Sequence, residues 1–173
     1  MDTFIELLKI LGPAIIVLYA MYLMVRSFLQ SKLDEIWAET KRKNQEVVTP
    51  IRLQAYERIT LLLERISPSN IVSRLNHAEF TVREFQAMLV NEIRQEYNHN
   101  LAQQVYMSSD AWAYVTGAVE DTISLINECG NNLEPDAKGI ELAHRIFERV
   151  SQKETDVIQN ALLYIKNEIR EVF

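Results

Sequence analysis

The chain carries two Glu-x-x-His pairs, Glu96 with His99 and Glu141 with His144. Helical bundles use pairs of this spacing on separate helices to hold two iron or manganese ions, with a further Glu from each of two other helices, all facing inward. At about 100° per residue, Glu92, Glu96 and His99 share a face with Phe85, Met88 and Leu89, so the first pair can point toward a core. The second cannot: Glu141, His144 and Glu148 lie off the face made by Leu142, Ala143, Ile146, Phe147 and Val150. The metal centre lacks its other half, so no metal and no cofactor is expected, and a metal- or ligand-binding bundle stands only as the alternative reading. What remains is a polar line, Glu92, Glu96, His99, Asn100 and Gln103, that prolongs an apolar one. It is either a half-buried hydrogen-bonded network or a strip that binds a protein partner.

No other residue set suggests a reaction. No serine sits in a Gly-x-Ser-x-Gly turn, and His77 falls in a loop without an acidic partner at helical spacing. Cys129, beside Glu128 near a helix C-terminus, sits in the wrong field for a thiolate. The four glycines, at 12, 117, 130 and 139, match neither a phosphate loop nor a dinucleotide-binding turn. No catalytic residue is assigned, and the protein is not expected to be an enzyme.

The elements that would position the polar line read as helices. Apolar residues recur at three-and-four spacing, with no strand-like alternation between turns, and glycine and proline are few; the fold class is all-α. Thr49-Pro50 reads as an N-cap and first helical residue, opening a helix that buries Ala55, Tyr56, Ile59, Leu62, Leu63 and Ile66. Ser67-Pro68 ends it and begins a short turn reaching Leu75. Thr81 and Glu84 form a capping box that predicts a long helix over residues 82–106. Ser108 or Ser109 caps the next, with Trp112, Val115, Val119, Ile123 and Ile126 inward and Gly130 as its terminator. Pro135 opens a further helix. A last one, from about Thr155, buries Ile158, Ala161, Leu162, Ile165 and Ile169. The expected architecture is a single N-terminal transmembrane helix followed by a soluble four- to five-helix bundle.

The membrane segment rests on sixteen uncharged positions, residues 10–25, inside an apolar stretch over residues 4–29 whose two cations, Lys9 and Arg26, can snorkel to the interfaces. A cleavable signal peptide would need a basic start and a small-x-small site; Asp2 and Glu6 oppose the first, and the sequence around Tyr22 to Leu29 lacks the second. Arg26, Lys32, Lys41, Arg42 and Lys43 follow the span and only Lys9 precedes it, which predicts the N-terminus outside and the C-terminal body in the cytoplasm. A lone cysteine suits a reducing compartment. Three parts are expected: a transmembrane anchor over residues 1–30, a charged helical stalk over 31–48, and a cytoplasmic bundle over 49–173.

From residue 44 onward, 12 Lys plus Arg stand against 19 Asp plus Glu, a net of −7 that excludes the basic face a nucleic-acid partner requires. Lys41, Arg42 and Lys43 are the only cluster able to touch lipid headgroups, and three cations read first as a solvated stalk face. Leu29, Leu33, Ile36 and Val47 form a partial heptad seam interrupted by Thr40 and Lys43, too broken to rank a coiled stalk above a solvated one. An anchor followed by helix also suits a subunit like the peripheral stalk of a rotary ATPase, but breaks at Pro50, Pro68 and Pro135 argue against its single long helix.

Two runs carry a resemblance. Residues 50–58 (PIRLQAYER) with 63–68 (LERISP), and 92–101 (EIRQEYNHNL) with 103–107 (QQVYM), resemble a family of unknown function from Bacteroidota. Its members look like this chain throughout, with one N-terminal span, a charged stalk and a helical domain. The resemblance implies that architecture and no activity, substrate or site. With that resemblance, the expected role is a single-pass protein of a bacterial inner membrane whose helical domain mediates protein–protein interaction, with a protein partner or with itself, as an accessory or scaffold subunit of a membrane assembly.

Overall fold

The computed structural model describes residues 2–75, 79–152 and 156–172, with side chains described from residue 11 to 171 within those ranges. His77 and Thr155 lie outside the described residues, and the Lys9 side chain is likewise not described. Six α-helices follow one another: α1 Asp2–Ile66, α2 Pro68–Leu75, α3 Val82–Asn100, α4 Ser109–Asn131, α5 Gly139–Gln152 and α6 Val157–Val172. A 3-10 segment, Leu101–Tyr106, joins α3 to α4. No β-strand occurs among the described residues, so the all-α class holds. The chain divides into two units, Met1–Thr49 and Pro50–Phe173.

Within the first unit the helix is long and apolar enough to cross a membrane, and its window of highest hydropathy is wholly uncovered by other parts of the chain. The expected helix start at Thr49-Pro50 is corrected by α1, which continues from Asp2 through Pro50 to Ile66. Pro50 is exposed, where solvent can hydrate the Glu46 carbonyl that loses its i→i+4 donor, so the proline does not act as a breaker. Of the three breaks weighed against a long helix, this one is absent.

In the second unit the apolar stripes close on one core. Ala55, Tyr56, Ile59, Leu62, Leu63 and Ile66 of α1 are all buried, as are Ile71 and Val72 of α2. Helix α4 packs against α3, α5 and α6, while α3 also meets α5, and α2 lies against α3 and α5. The α6 stripe buries Ile158, Ala161, Leu162 and Ile165, and half-buried Ile169 packs against the same core. Phe147, expected inward, is largely exposed, because α5 turns Leu142, Ala143 and Ile146 to the core and leaves Phe147 beyond the edge of that stripe.

Helix α3 starts as its sequence predicts. The Thr81 hydroxyl accepts from the Glu84 amide at 3.3 Å, and the Glu84 carboxylate accepts from the Thr81 amide at 2.9 Å and hydroxyl at 2.8 Å. Those two donors hold the exposed Glu84 carboxyl below its ordinary pKa. The next two amides turn to a neighbouring loop, Val82 to the Ala137 carbonyl at 2.9 Å and Arg83 to that of Pro135 at 3.1 Å. Gly139 donates to the Phe80 carbonyl at 2.7 Å, and Thr81 and Lys138 form an isolated antiparallel bridge. This pairing overturns the helix start expected at Pro135: the turn over residues 134–137 is tied to residues 80–83, and α5 begins only at Gly139. A Cβ there would come within 2.9 Å of the Phe80 carbonyl oxygen and 3.3 Å of the Phe85 Cβ, which explains the glycine. Thr81→Ala removes the cap and is expected to cost about 1 kcal/mol, lowering the domain's thermal midpoint by about 4 °C in calorimetry, while Arg94→Ala on the exposed side of α3 leaves it unmoved.

Two other ends differ from expectation. The long helix over residues 82–106 stops being α-helical at Asn100, whose buried side chain donates to the Glu96 carbonyl at 2.9 Å, competing for the acceptor that the regular helix uses. The chain then tightens into the 3-10 segment. Gly130 lies inside α4 and no described glycine has a positive φ, so it is not a left-handed terminator. Instead the Gln86 side-chain amide, bonded to Asn127 Oδ1 at 3.0 Å, crosses directly over it, and Asn132 finishes the helix by donating to the Glu128 carbonyl at 2.7 Å.

Candidate functional site

Helix α3 carries the polar line past α1 and α2, and its members meet different fates. Glu92 takes an ion pair from Arg74 of α2 at 2.8 Å, and Glu96 takes one from Arg65 of α1 at 3.1 Å. Asn100 is buried and also reaches Glu96 Oε1 at 3.4 Å. These three are bound within the chain. His99 is exposed and Gln103 half-buried. Beyond them the 3-10 segment buries nothing: Leu101 and Tyr106 are exposed, and Val105 is 78% exposed. The described residues thus divide the line into an internally neutralised half, Glu92, Glu96 and Asn100, and an open half, His99 and Gln103, beside apolar neighbours.

The second Glu-x-x-His pair, Glu141 and His144, is exposed on α5, and Glu148 is paired with Arg145 at 3.1 Å. Among the described residues no group of three or more His, Cys, Asp or Glu is arranged to hold a metal ion. Cys129 is buried, with its Sγ 3.8 Å from the Arg145 carbonyl. Burial pushes its pKa up and Glu128 adds to that, while Arg145 and Arg149 pull the other way without prevailing. A thiol in that state is a weak nucleophile. On the stalk, Lys43 pairs with Glu39 at 2.9 Å and Arg42 with Glu46 at 3.5 Å; these two, Lys41 and Arg26 all stand exposed.

The most connected polar cluster was not singled out by the sequence. Tyr56 of α1, wholly buried, donates its hydroxyl to Glu168 of α6. Glu168 also accepts from the Ser108 hydroxyl and, at 3.0 Å, from the Ser108 amide, while the Ser108 hydroxyl caps α4 by accepting from Ala111 N–H at 3.0 Å. Arg52 bridges the Tyr56 hydroxyl at 3.3 Å and the Tyr106 carbonyl at 3.1 Å. Burial alone would raise the Glu168 pKa, but the Ser108 hydroxyl, the Tyr56 hydroxyl, the Ser108 amide and Arg52 outweigh it and hold the carboxyl below its ordinary value. Burial and the Glu168 contact in turn raise the Tyr56 pKa. Three donors occupy most of the acceptor sites of the Glu168 carboxylate, and through them the cluster fastens α1, α4 and α6 together. A readable signal existed: a core tyrosine needs an acceptor, and Glu168 sits at the edge of the Ile165–Ile169 stripe.

A family model described as a family of unknown function, DUF7935, matches residues 2–172. The chain belongs to that family. The match spans both units of the DUF7935 chain, so the apolar helix and the helical domain are parts of one family pattern. No curated protein and no solved structure matches it.

Proposed function

We propose that this protein is a non-enzymatic, single-pass protein of a bacterial inner membrane, with its N-terminus outside and its helical domain in the cytoplasm. The domain acts as an accessory or scaffold subunit that docks a protein partner. The observation that carries the reading is the bare apolar helix: across residues 11–29 the large apolar side chains are exposed on every side of α1, and water is a poor environment for a helix apolar all round. Lipid supplies the missing cover. The excess of Lys and Arg after the span favours the orientation.

The docking surface that fits best is the open half of the α3 line with the 3-10 segment beyond it, His99, Leu101, Gln103, Val105 and Tyr106, where exposed apolar side chains stand beside the exposed His99 and half-buried Gln103. The internal pairs of Glu92 and Glu96 support a positioning role for those two. The test is native mass spectrometry of the full-length protein released from its own membranes in mild detergent. A complex with a second polypeptide that persists in Glu141→Ala and is lost in Val105→Asp supports the reading. A chain free of any other polypeptide, carrying the extra mass of a metal, overturns it.

A further inference from the structure

The large apolar residues of the stalk fall on one face once an eleven-residue period replaces seven. Val25, Ile36 and Val47 are eleven apart, as are Trp37 and Val48 behind Arg26, Tyr22 and Leu33 ahead of Asn44, and Leu29 and Thr40. Projected at about 100° per residue, Leu29, Leu33, Ile36, Trp37, Val47 and Val48 fall within an arc of about 120°. Every charged residue from Lys32 to Glu46 lies about 80° or more from its centre. All six are exposed, Trp37 by 71%, and nothing in the first unit covers them. Lys43, which interrupts a heptad seam, moves to the flank, and the uncharged Thr40 and Asn44 carry the stripe between Trp37 and Val47.

We propose that this stripe pairs with the same stripe of a second copy of the chain, in parallel and in register, so that the stalk is a two-stranded coil. The proposal rests on the membrane anchoring proposed above, because two chains inserted in the same sense present identical stripes at the same depth and in the same direction. The charges beside the stripe fit that partner. One flank carries Asp34 and then Lys41; the other carries Lys32 and then Glu39, with Lys43 bonded to Glu39 on its own helix. In a parallel two-fold pair each flank faces the opposite flank of its mate, which brings Asp34 beside Lys32 of the second copy and Lys41 beside its Glu39. A period of eleven residues, about 3.67 per turn, stays close to that of a straight helix and gives the pair a slight right-handed twist.

The test uses the full-length chain in isolated membranes with a short bis-maleimide. Thr40→Cys and Val47→Cys place a thiol in the stripe, Arg42→Cys places one on the opposite face, and the wild type, whose Cys129 is buried, sets the background. Covalent dimer is expected at both Thr40→Cys and Val47→Cys, with loss to background at Arg42→Cys; an antiparallel pair would link no more than one of the two. Absence of dimer at positions 40 and 47, or equal dimer at position 42, overturns the pairing. Alkaline extraction of the same samples reports separately on the anchor: a chain released from the pellet that still links at Thr40→Cys overturns the membrane reading and supports the stripe.

Discussion

Glu168→Ala is expected to destabilise the helical domain by about 3 kcal/mol, because it leaves the buried Tyr56 hydroxyl, the Ser108 hydroxyl and the Ser108 amide without their common acceptor. For a domain of about 125 residues this lowers the thermal midpoint by about 10 °C. Tyr56→Phe removes one donor and no acceptor, so its cost is expected to be about 1 kcal/mol, and a double-mutant cycle should show the two changes coupled rather than additive. The pH dependence has a definite sign. The Glu168 carboxyl is held below its ordinary value of 4.5 in the folded protein. Its contribution is therefore complete above that value and is lost as the pH falls through the folded one. The stability gap between wild type and Glu168→Gln should shrink below pH 4.5. A gap that is the same size in acid, or an effect of Glu168→Ala no larger than that of the exposed Glu171→Ala, would show that the three donors find other partners.

Phe85→Ala is the more damaging change. Phe85 is buried in the first turn of α3, at the point where the loops ahead of α3 and α5 pair, and its Cβ lies against Gly139. Removing the ring should cost about 4 kcal/mol, and nothing on either side is free to fill the space: the Val82 amide is tied to Ala137 and the Gly139 amide to Phe80. Denaturant titration should report the midpoint moving down with an unchanged slope. Phe85→Leu, which keeps most of the apolar volume, should recover more than half of the loss. Equal losses for the two variants would mean that the site is loosely packed.

The sequence carried the helices whose ends are set by neighbours in the chain. Thr81 and Glu84 lie three residues apart and satisfy each other, Ser108 caps the helix that follows it, and the stripes of α1, α4 and α6 obey their spacing. The misplaced ends have different causes: Pro50 is accommodated inside a continuous helix, Asn100 turns back on its own preceding turn, and only the end at Pro135 is set by distant partners. Pro135 looked like a helix start because its amide is dispensable there, yet its carbonyl is claimed by Arg83, and the chain around it is held by residues 80–83. Asn100 looked like one more polar residue on the line, while in the fold its side chain is buried and turned back on the Glu96 carbonyl. Periodicity also placed Glu92 and Glu96 correctly on one face but carried no information about Arg74 and Arg65, which arrive from other helices and neutralise them. The Tyr56–Glu168 contact joins residues 112 apart, so a core tyrosine in need of an acceptor and a carboxylate at a stripe's edge were each legible, but not that they meet.

That separation sets an order of events during synthesis. Helix α1 leaves the ribosome early, whereas Glu168 follows Tyr56 by 112 residues, a delay of roughly ten seconds at ordinary elongation rates. Through that interval the apolar face of Tyr56, Ile59, Leu62, Leu63 and Ile66 has no α6 to close over it. A nascent chain in that state should be a better target for chaperones and proteases than the finished one, and variants that weaken the Glu168 contact should lengthen its vulnerable period before they alter anything the mature protein does.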